Sequence, residues 1–489
     1  MKRTIAVLSS ILVFFACFSQ RSFELVQDST FWLTSGNAAS LTDMKTRSIS
    51  KAELYYNYSA GKLKSEFQGD KNNIFGAEVK SYSRLTSNLV AMGKISYANN
   101  SFSSSAGSML LPTVELMPFD IVELTDENSG NKRYEQFKVV GAVGWNFYKG
   151  LSIGASANFI AGSYAKFKDL RHTNSLMNLE VRPGIFYSFG LQSGFGATFV
   201  YHRRTETISF ETFGTTDKTF HTLVDYANGF GHVETYGGEG FTDDSNEMPL
   251  VSEYLGFALQ GGYKSIFADL TWQHRSGYYG KKSQYTACQS LNHGDFFNCC
   301  LRYVLPQGRV YLCMFDFSLT SQLLSSYRTN YRKETSNANP SVTYYEYYAN
   351  TKMSDKASNI VHIDFTGYWK PAGEIYLWHA RGGVSYHCLK QTAYLFPNNF
   401  TEKQNGILVE ATGRRNFIFK NKNLLWASLD VETRLRWNDC ISSGIEAGYE
   451  IPIKNTPYRP YISLKYMYSS ALKTSQYRNF TQITLGITL

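Results

Sequence analysis

Charged residues recur at alternate positions inside otherwise apolar segments. Lys138, Asp269, Arg275, His362 and Asp364 follow this pattern, and so do Asp430, Glu432, Arg434, Arg436, Glu446, Glu450 and Lys465. If the apolar face of each segment meets lipid, these side chains line the inside of a wall. Both signs are present, so they either set up a transverse field for a polar solute or join neighbouring strands as ion pairs. Ion pairing is the simpler expectation. A second acidic group spans Thr207 to Val251, with Glu211, Asp217, Asp225, Glu234, Glu239, Asp243, Asp244 and Glu247 among several glycines. Hard oxygen ligands in such a loop can hold calcium, but the EF-hand spacing is missing. A solvated or constricting loop without metal is expected there.

Covalent and redox chemistry find little support. The chain has no HExxH, GxSxG, P-loop or dinucleotide fingerprint. His202 and His274 have no serine that can be tied to either. No catalytic residue, cofactor or metal is therefore expected, and the chain reads as a non-enzyme. Beyond Cys17 there are six cysteines, and Cys288 could pair locally with Cys299 or Cys300. No compact Lys/Arg cluster points to nucleic acid. The net charge of +9 includes Lys2 and Arg3 of a leader-like start.

The elements that carry these charges have a period of two. In LLWASLDVETRLRW (Leu424–Trp437), Leu425, Ala427, Leu429 and Val431 alternate with Ser428, Asp430 and Glu432. In KGLSIGASANFIAGS, Leu151, Ile153, Ala155 and Phe159 oppose Ser152, Gly154, Ser156 and Asn158. NIVHIDFTGYW repeats the pattern around His362 and Asp364. Such strands run to roughly 10–15 residues, the length a tilted bilayer-crossing strand requires.

Short turns are expected at 148–150, 190–193, 263–265, Pro306-Gln307-Gly308 and Lys370-Pro371-Ala372-Gly373. Long polar loops are expected at Asn99–Lys132, Glu206–Ser252, Ser276–Asp295, Thr329–Ala357 and Leu395–Gln404. Tight turns on one rim and long loops on the other fit short periplasmic turns and long extracellular loops. Aromatics make up 16% of the chain, with 35 Tyr and 34 Phe beside 38 Gly. Trp145, Trp272, Trp369, Trp378, Trp426 and Trp437 are expected in interfacial belts.

These features predict an all-β fold, a transmembrane antiparallel β-barrel with an even strand number of about 18, or else 14 or 16. Residues 1–20 read as a signal peptide: a short cationic start, then an apolar run too short to span a bilayer. Residues 21–48 precede the first alternating strand and carry Phe31-Trp32-Leu33, which would want cover. They read as a hatch or plug, with 49–489 as the barrel. Trp32 and Asn37 are expected to be buried in the barrel mouth.

The stretch Ser35-Gly36-Asn37-Ala38-Ala39-Ser40-Leu41 resembles the N-P-A-G or N-A-A-G-L sequence that opens several outer-membrane barrel families. Among them is the long-chain fatty-acid transporter family, where the motif belongs to a hatch inside the barrel. Another is a group of Bacteroidota barrels working with surface secretion. The likeness is nearest to an uncharacterised Bacteroidota family with a W-L-x-x-x-N-A-A-G-L start, a length near 500 residues and Tyr-rich strands. Here Ser40 stands in place of glycine and Ala38 in place of proline. The resemblance implies a hatch built from Phe31, Trp32, Leu33, Gly36, Asn37, Ala38 and Ala39. Together these readings lead us to expect an outer-membrane channel or transporter of a Gram-negative bacterium, gated by that hatch or a long loop. Its partners would be outer-membrane lipid, an unidentified small-molecule solute and the barrel-assembly machinery. A non-transporting scaffold or secretion-associated barrel is the alternative.

Overall fold

Eighteen antiparallel strands close on themselves into a barrel. The first strand, Ser48–Gly61, pairs with Lys71–Arg84 on one side and with the last, Tyr477–Thr488, on the other. The computed structural model describes residues 23–64, 69–123, 129–190, 192–212, 219–237, 248–283, 286–305, 311–337, 343–369, 375–395, 397–436, 439–454 and 456–489. The expected signal peptide, Pro306-Gln307-Gly308, residues 370–373 and Trp437 lie outside the described residues, as do most of the acids between 217 and 247.

The wall is built as the period-two pattern dictates. Leu425, Leu429 and Val431 are exposed on the outer face, while Asp430 and Glu432 between them are partly covered on the inner one. Ile153 and Phe159 point outward, and Ser152 is fully buried inside. An exposed apolar face opposed to a polar lumen is the pattern of a barrel whose solvent is lipid. At the rim where the N-terminal segment enters, Trp145, Phe147, Tyr148, Tyr187, Phe189, Phe195 and Tyr263 form an exposed outer aromatic band. Tyr148–Leu151 is a two-residue turn with φ of 34° at Lys149 and 86° at Gly150. Positive φ at both positions gives the turn twist that suits adjoining strands.

Several expectations need correction. Strands run from 11 residues (Cys440–Glu450), about one bilayer crossing, to 21 (Asn398–Ile418), well beyond it. Ser276–Asp295 and Leu395–Gln404 are therefore mainly the paired arms of hairpins rather than long loops. Their outer faces change from Leu270 and Trp272 to His274 and Ser276 where the strands pass beyond the apolar band, so the oily alternation stops while pairing continues. The other long connections hold structure of their own. Asp120–Glu123, Phe220–Ala227 and Phe230–Tyr236 form a three-stranded sheet, and Tyr331–Thr335 pairs with Thr343–Tyr347.

Among the described residues no disulfide joins any of the six cysteines. Cys288, Cys299 and Cys300 share the strand Thr286–Val304, which rises about 3.3 Å per residue, so the first is on the order of 35 Å from the others. No disulfide spans that separation. Trp426 faces the lumen, not the interface, and is buried beneath the Arg414 guanidinium at 4.7 Å from its ring.

Candidate functional site

The N-terminal segment is folded inside the barrel. It comprises a short helix, Phe23–Ser29, and two 3-10 turns, Phe31–Leu33 and Ala38–Asp43. Phe31, Trp32, Leu33, Ala38, Ala39 and Asn37 are buried. The Phe31 ring stacks on Phe267 at 5.5 Å, and Trp32 lies 4.5 Å from Phe186 and edge-on to Phe267 at 5.1 Å. Removing three large apolar side chains from water gives the segment a driving force of roughly 1.5–3 kcal/mol each. The Trp32 indole nitrogen has no hydrogen-bond partner, so apolar packing holds this ring.

Asn37 supplies the polar register. Its Oδ1 accepts from the Ala39 amide at 3.0 Å, which caps the second 3-10 turn. Its Nδ2 donates to the Ile185 carbonyl at 2.8 Å and to Gln260 Oε1 at 3.1 Å. The network continues as Gln260 donates to Asp269, which also accepts the Gly36 amide at 3.1 Å. Thr42 and Ser152 share a hydroxyl hydrogen bond at 2.9 Å, and Tyr82 donates to the Leu33 carbonyl. The helix is held at its far side: Tyr368 donates to Asp28 at 2.7 Å, and Arg414 lies 3.7 Å from Glu24.

The wall leaves room for this segment. Gly144, Gly154 and Gly184 are direct cross-strand partners on three adjacent strands. A Cβ at Gly154 would lie 2.4 Å from the Ala39 nitrogen, and one at Gly184 would lie 2.6 Å from Asn37 Oδ1. Gly196 and Gly262 extend the trough, with Cβ positions 2.5 Å from Asn37 Nδ2 and 2.7 Å from the Trp32 ring. Backbone of the segment lies where side chains of the wall would otherwise stand. These glycines were absent from the sequence-based site. Their inward register, set by the alternation, was the signal that could have found them.

A second intrusion enters from the long-loop rim. Residues 108–121 fold into the lumen, where Met109, Leu110, Phe119 and Ile121 join a buried cluster with Ile208, Phe210 and Tyr279. Glu206 accepts from the Leu111 amide at 2.8 Å and pairs with Arg204 at 2.7 Å. Arg275 donates to the Leu116 carbonyl, Gln322 accepts from the Leu116 amide, and Ser326 donates to the Pro118 carbonyl. The polar character of Asn99–Lys132 concealed this. The signal lay in Met109-Leu110-Leu111 and Leu116-Met117-Pro118-Phe119, apolar runs in a stretch read as solvated.

Beside the N-terminal segment lie cavities with walls of mixed charge. One of about 450 Å³ borders the helix and includes Lys51, Glu53, Glu78 and Lys80. Another of about 430 Å³ borders Gly36 and includes Asp269, Asn298 and His362. The two share Arg302, Asp316, Asp364 and Arg381. Arg302 pairs with Asp316 in a two-nitrogen fork, and Arg381 Nε lies 2.7 Å from Asp364.

The other sequence-derived positions are distributed around the wall. Lys138 lies on the face opposite the exposed Phe137 and Val139. Arg275 is committed to the 108–121 segment. Lys465 pairs with Asp430 at 2.6 Å, Arg434 with Glu432 at 2.6 Å, and Glu450 with Arg459. Glu446 borders a third cavity with Glu24 and Arg414. Arg436 is not on the wall: its strand ends at Leu435, and its φ of 68° places it in the following turn at the long-loop rim. There it borders a cavity of about 560 Å³ with Arg434, Lys473 and Arg478. Of the described acids between Thr207 and Val251, Asp225 accepts the Gly229 amide and Glu234 pairs with His232, so each has a local structural partner.

Compared with solved structures, the chain is similar to BauA, the ferric preacinetobactin receptor from Acinetobacter baumannii, at 7% identity over 90% of this chain and 80% of that one, with a TM-score of 0.40. It is also similar to the alcaligin outer-membrane receptor FauA from Bordetella pertussis, at 9% identity over 91% and 76%, with a TM-score of 0.41. A third likeness is to the Pseudomonas putida toluene transporter TodX, at 9% identity over 93% and 91%, with a TM-score of 0.30. No curated protein matches the chain. A model of a family of unknown function, DUF6850, matches residues 38–442, from the Asn37-capped turn to the eighteen-stranded barrel's antepenultimate strand. Because that match covers most of the sequence, the chain belongs to the family of unknown function DUF6850.

Proposed function

We propose that the protein is an outer-membrane channel or transporter for a small polar solute, and that residues 23–47 are its hatch. The observation that carries this reading is the glycine trough under Asn37. A barrel wall that gives up side chains on five adjacent strands does so to hold a separate segment, and that segment fills its lumen. The short-turn rim is then periplasmic, the apolar outer band meets outer-membrane lipid, and the chain is inserted by the barrel-assembly machinery. Passage requires the hatch to leave, or the 108–121 segment to shift. Paired charges of both signs beside the hatch suit a solute that carries both signs itself. Proteoliposome swelling with the barrel lacking residues 21–47 tests this: zwitterionic amino acids should enter it faster than uncharged sugars of equal size. Equal rates, or no entry, would count against it.

Acidity should tighten the closure. Burial raises the Asp43 carboxyl from 3.8 to about 6, against the opposing pull of Lys45 and Arg84. Burial likewise raises Asp120 on the inserted loop to about 6, against hydrogen bonds from Ser108 and the Ile121 amide. A group whose docked pKa is raised favours docking at low pH, and that contribution is lost as pH rises through the docked value. Glu24 has the opposite direction: its burial is outweighed by Arg414, Lys51 and His379, which hold its carboxyl below its ordinary value. Conductance in planar bilayers should therefore be severalfold lower at pH 5 than at pH 7.5. Asp43→Asn should flatten that ratio; an undiminished ratio would remove Asp43 from the mechanism.

A further inference from the structure

On the chamber wall, His362, Asp364 and Glu410 converge. One ring nitrogen and one oxygen from each carboxylate all lie within 4.8 Å of one another. The sheet register creates this. Asp364 pairs with Gly383, and Gly383 pairs with Glu410, so two carboxylates flank one residue that has no side chain. A Cβ there would lie 3.0 Å from His362 Cε1, 3.2 Å from Asp364 Oδ1 and 3.3 Å from Glu410 Cγ. The space the three residues face is thus the space a side chain would fill. Ser385, the register partner of His362, holds the ring through a 2.6 Å contact to Nδ1. A ligating imidazole is usually oriented by a hydrogen bond at its other ring nitrogen, to a carboxylate, carbonyl or water, and here the Ser385 hydroxyl takes that place.

Asp364 gives an independent indication. It is 5% exposed, and its Oδ1, on the side of the cradle, is buried without a hydrogen-bond partner. Its other oxygen takes Arg381 Nε, and Arg381 Nη2 lies 3.6 Å from Glu410. One guanidinium against two carboxylates leaves a negative balance. The Arg381 side chain is 49% exposed whereas Asp364 is 6%, so the arginine can leave the site and the carboxylate cannot.

We infer that His362, Asp364 and Glu410 form a divalent-cation site of zinc type, which Arg381 closes when no metal is bound. One imidazole with two carboxylates suits borderline first-row ions rather than calcium, which takes six to eight oxygens. A metal would neutralise the two carboxylates and release Arg381 into the cavity. The site names a ligand for the proposed chamber, but binding to the purified barrel involves no transport, so each reading can fail alone.

Isothermal titration with Zn²⁺, in a background with all six of Cys288, Cys299, Cys300, Cys313, Cys388 and Cys440 replaced by serine to remove thiol sites, should give one zinc per chain. His362→Ala and Glu410→Gln, on different strands, should each weaken binding tenfold or more. Gly383→Ala should weaken it too, because its φ is ordinary and only the added methyl intrudes. Arg381→Met should tighten binding, an outcome that a purely structural ion pair does not give. Heat-modifiable migration on a gel verifies that each variant is folded. Absence of zinc binding, unchanged affinity in folded His362→Ala or Glu410→Gln, or weaker binding in Arg381→Met would overturn the inference.

Discussion

Replacing Gly184 with leucine is expected to raise the conductance of the purified barrel by roughly 5- to 150-fold without unfolding it. Even the first atom of the new side chain would stand 2.6 Å from Asn37 Oδ1. It points into the lumen, so the N-terminal segment rather than the outer face receives the strain. Overpacking of this kind costs about 1–3 kcal/mol, which corresponds to that range in the ratio of docked to undocked hatch. The Cβ would also lie 3.0 Å from Thr198 Oγ1, a hydroxyl that can turn aside, and 3.1 Å from the Ala197 carbonyl oxygen of the wall, so Asn37 remains the tightest contact. Ala155→Leu, on the neighbouring strand but facing lipid, adds similar bulk and should leave conductance unchanged. A leucine at 184 that left the barrel as closed as the wild type would show that the trough does not hold the hatch in place.

Trp32→Ala should have a still larger effect on hatch docking. The indole is fully buried between Phe31, Phe186 and Phe267. Truncating a buried Trp to Ala costs about 3–5 kcal/mol. Because Trp32 belongs to the N-terminal segment and not to the wall, the loss should fall on docking of that segment, with barrel stability close to unchanged. Protease cleavage at Lys45 and Arg47 should accelerate in proportion, and the barrel should still run as a folded, heat-modifiable band. If Trp32→Ala instead weakened the whole barrel and left cleavage at Lys45 unaltered, the segment would be a structural core and not a hatch.

Much of this architecture is legible from residues alone, for a definite reason. A lipid-facing wall imposes one period on every strand, so Leu425, Leu429 and Val431 reveal which way Asp430 and Glu432 face. Trp32 beside Asn37 is legible as well, since adjacent large apolar groups ahead of the first strand need cover. What escapes is whatever depends on register between distant segments. Asp364, Gly383 and Glu410 come together only because three strands align within one residue, and nothing local in the chain specifies that alignment. The same holds for Gly144, Gly154 and Gly184, each unremarkable in its own strand. Above the apolar band the outer face turns polar at His274 and Ser276, so strands there resemble loops. The inward fold of 108–121 depends on Glu206 and Arg275, far away in sequence, to satisfy backbone groups that a buried loop would otherwise leave unpaired.

In the proposed function, residues 23–47 close the lumen and can leave it. The most direct test is the single-channel conductance of the barrel lacking residues 21–47, compared with that of the full-length protein in the same planar bilayer. The strand Ser48–Gly61, which closes the wall against Tyr477–Thr488, is kept whole. The account predicts a mostly silent full-length protein and steady, ion-conducting openings in the truncated one. A truncated barrel that is folded, inserted and still silent would contradict it.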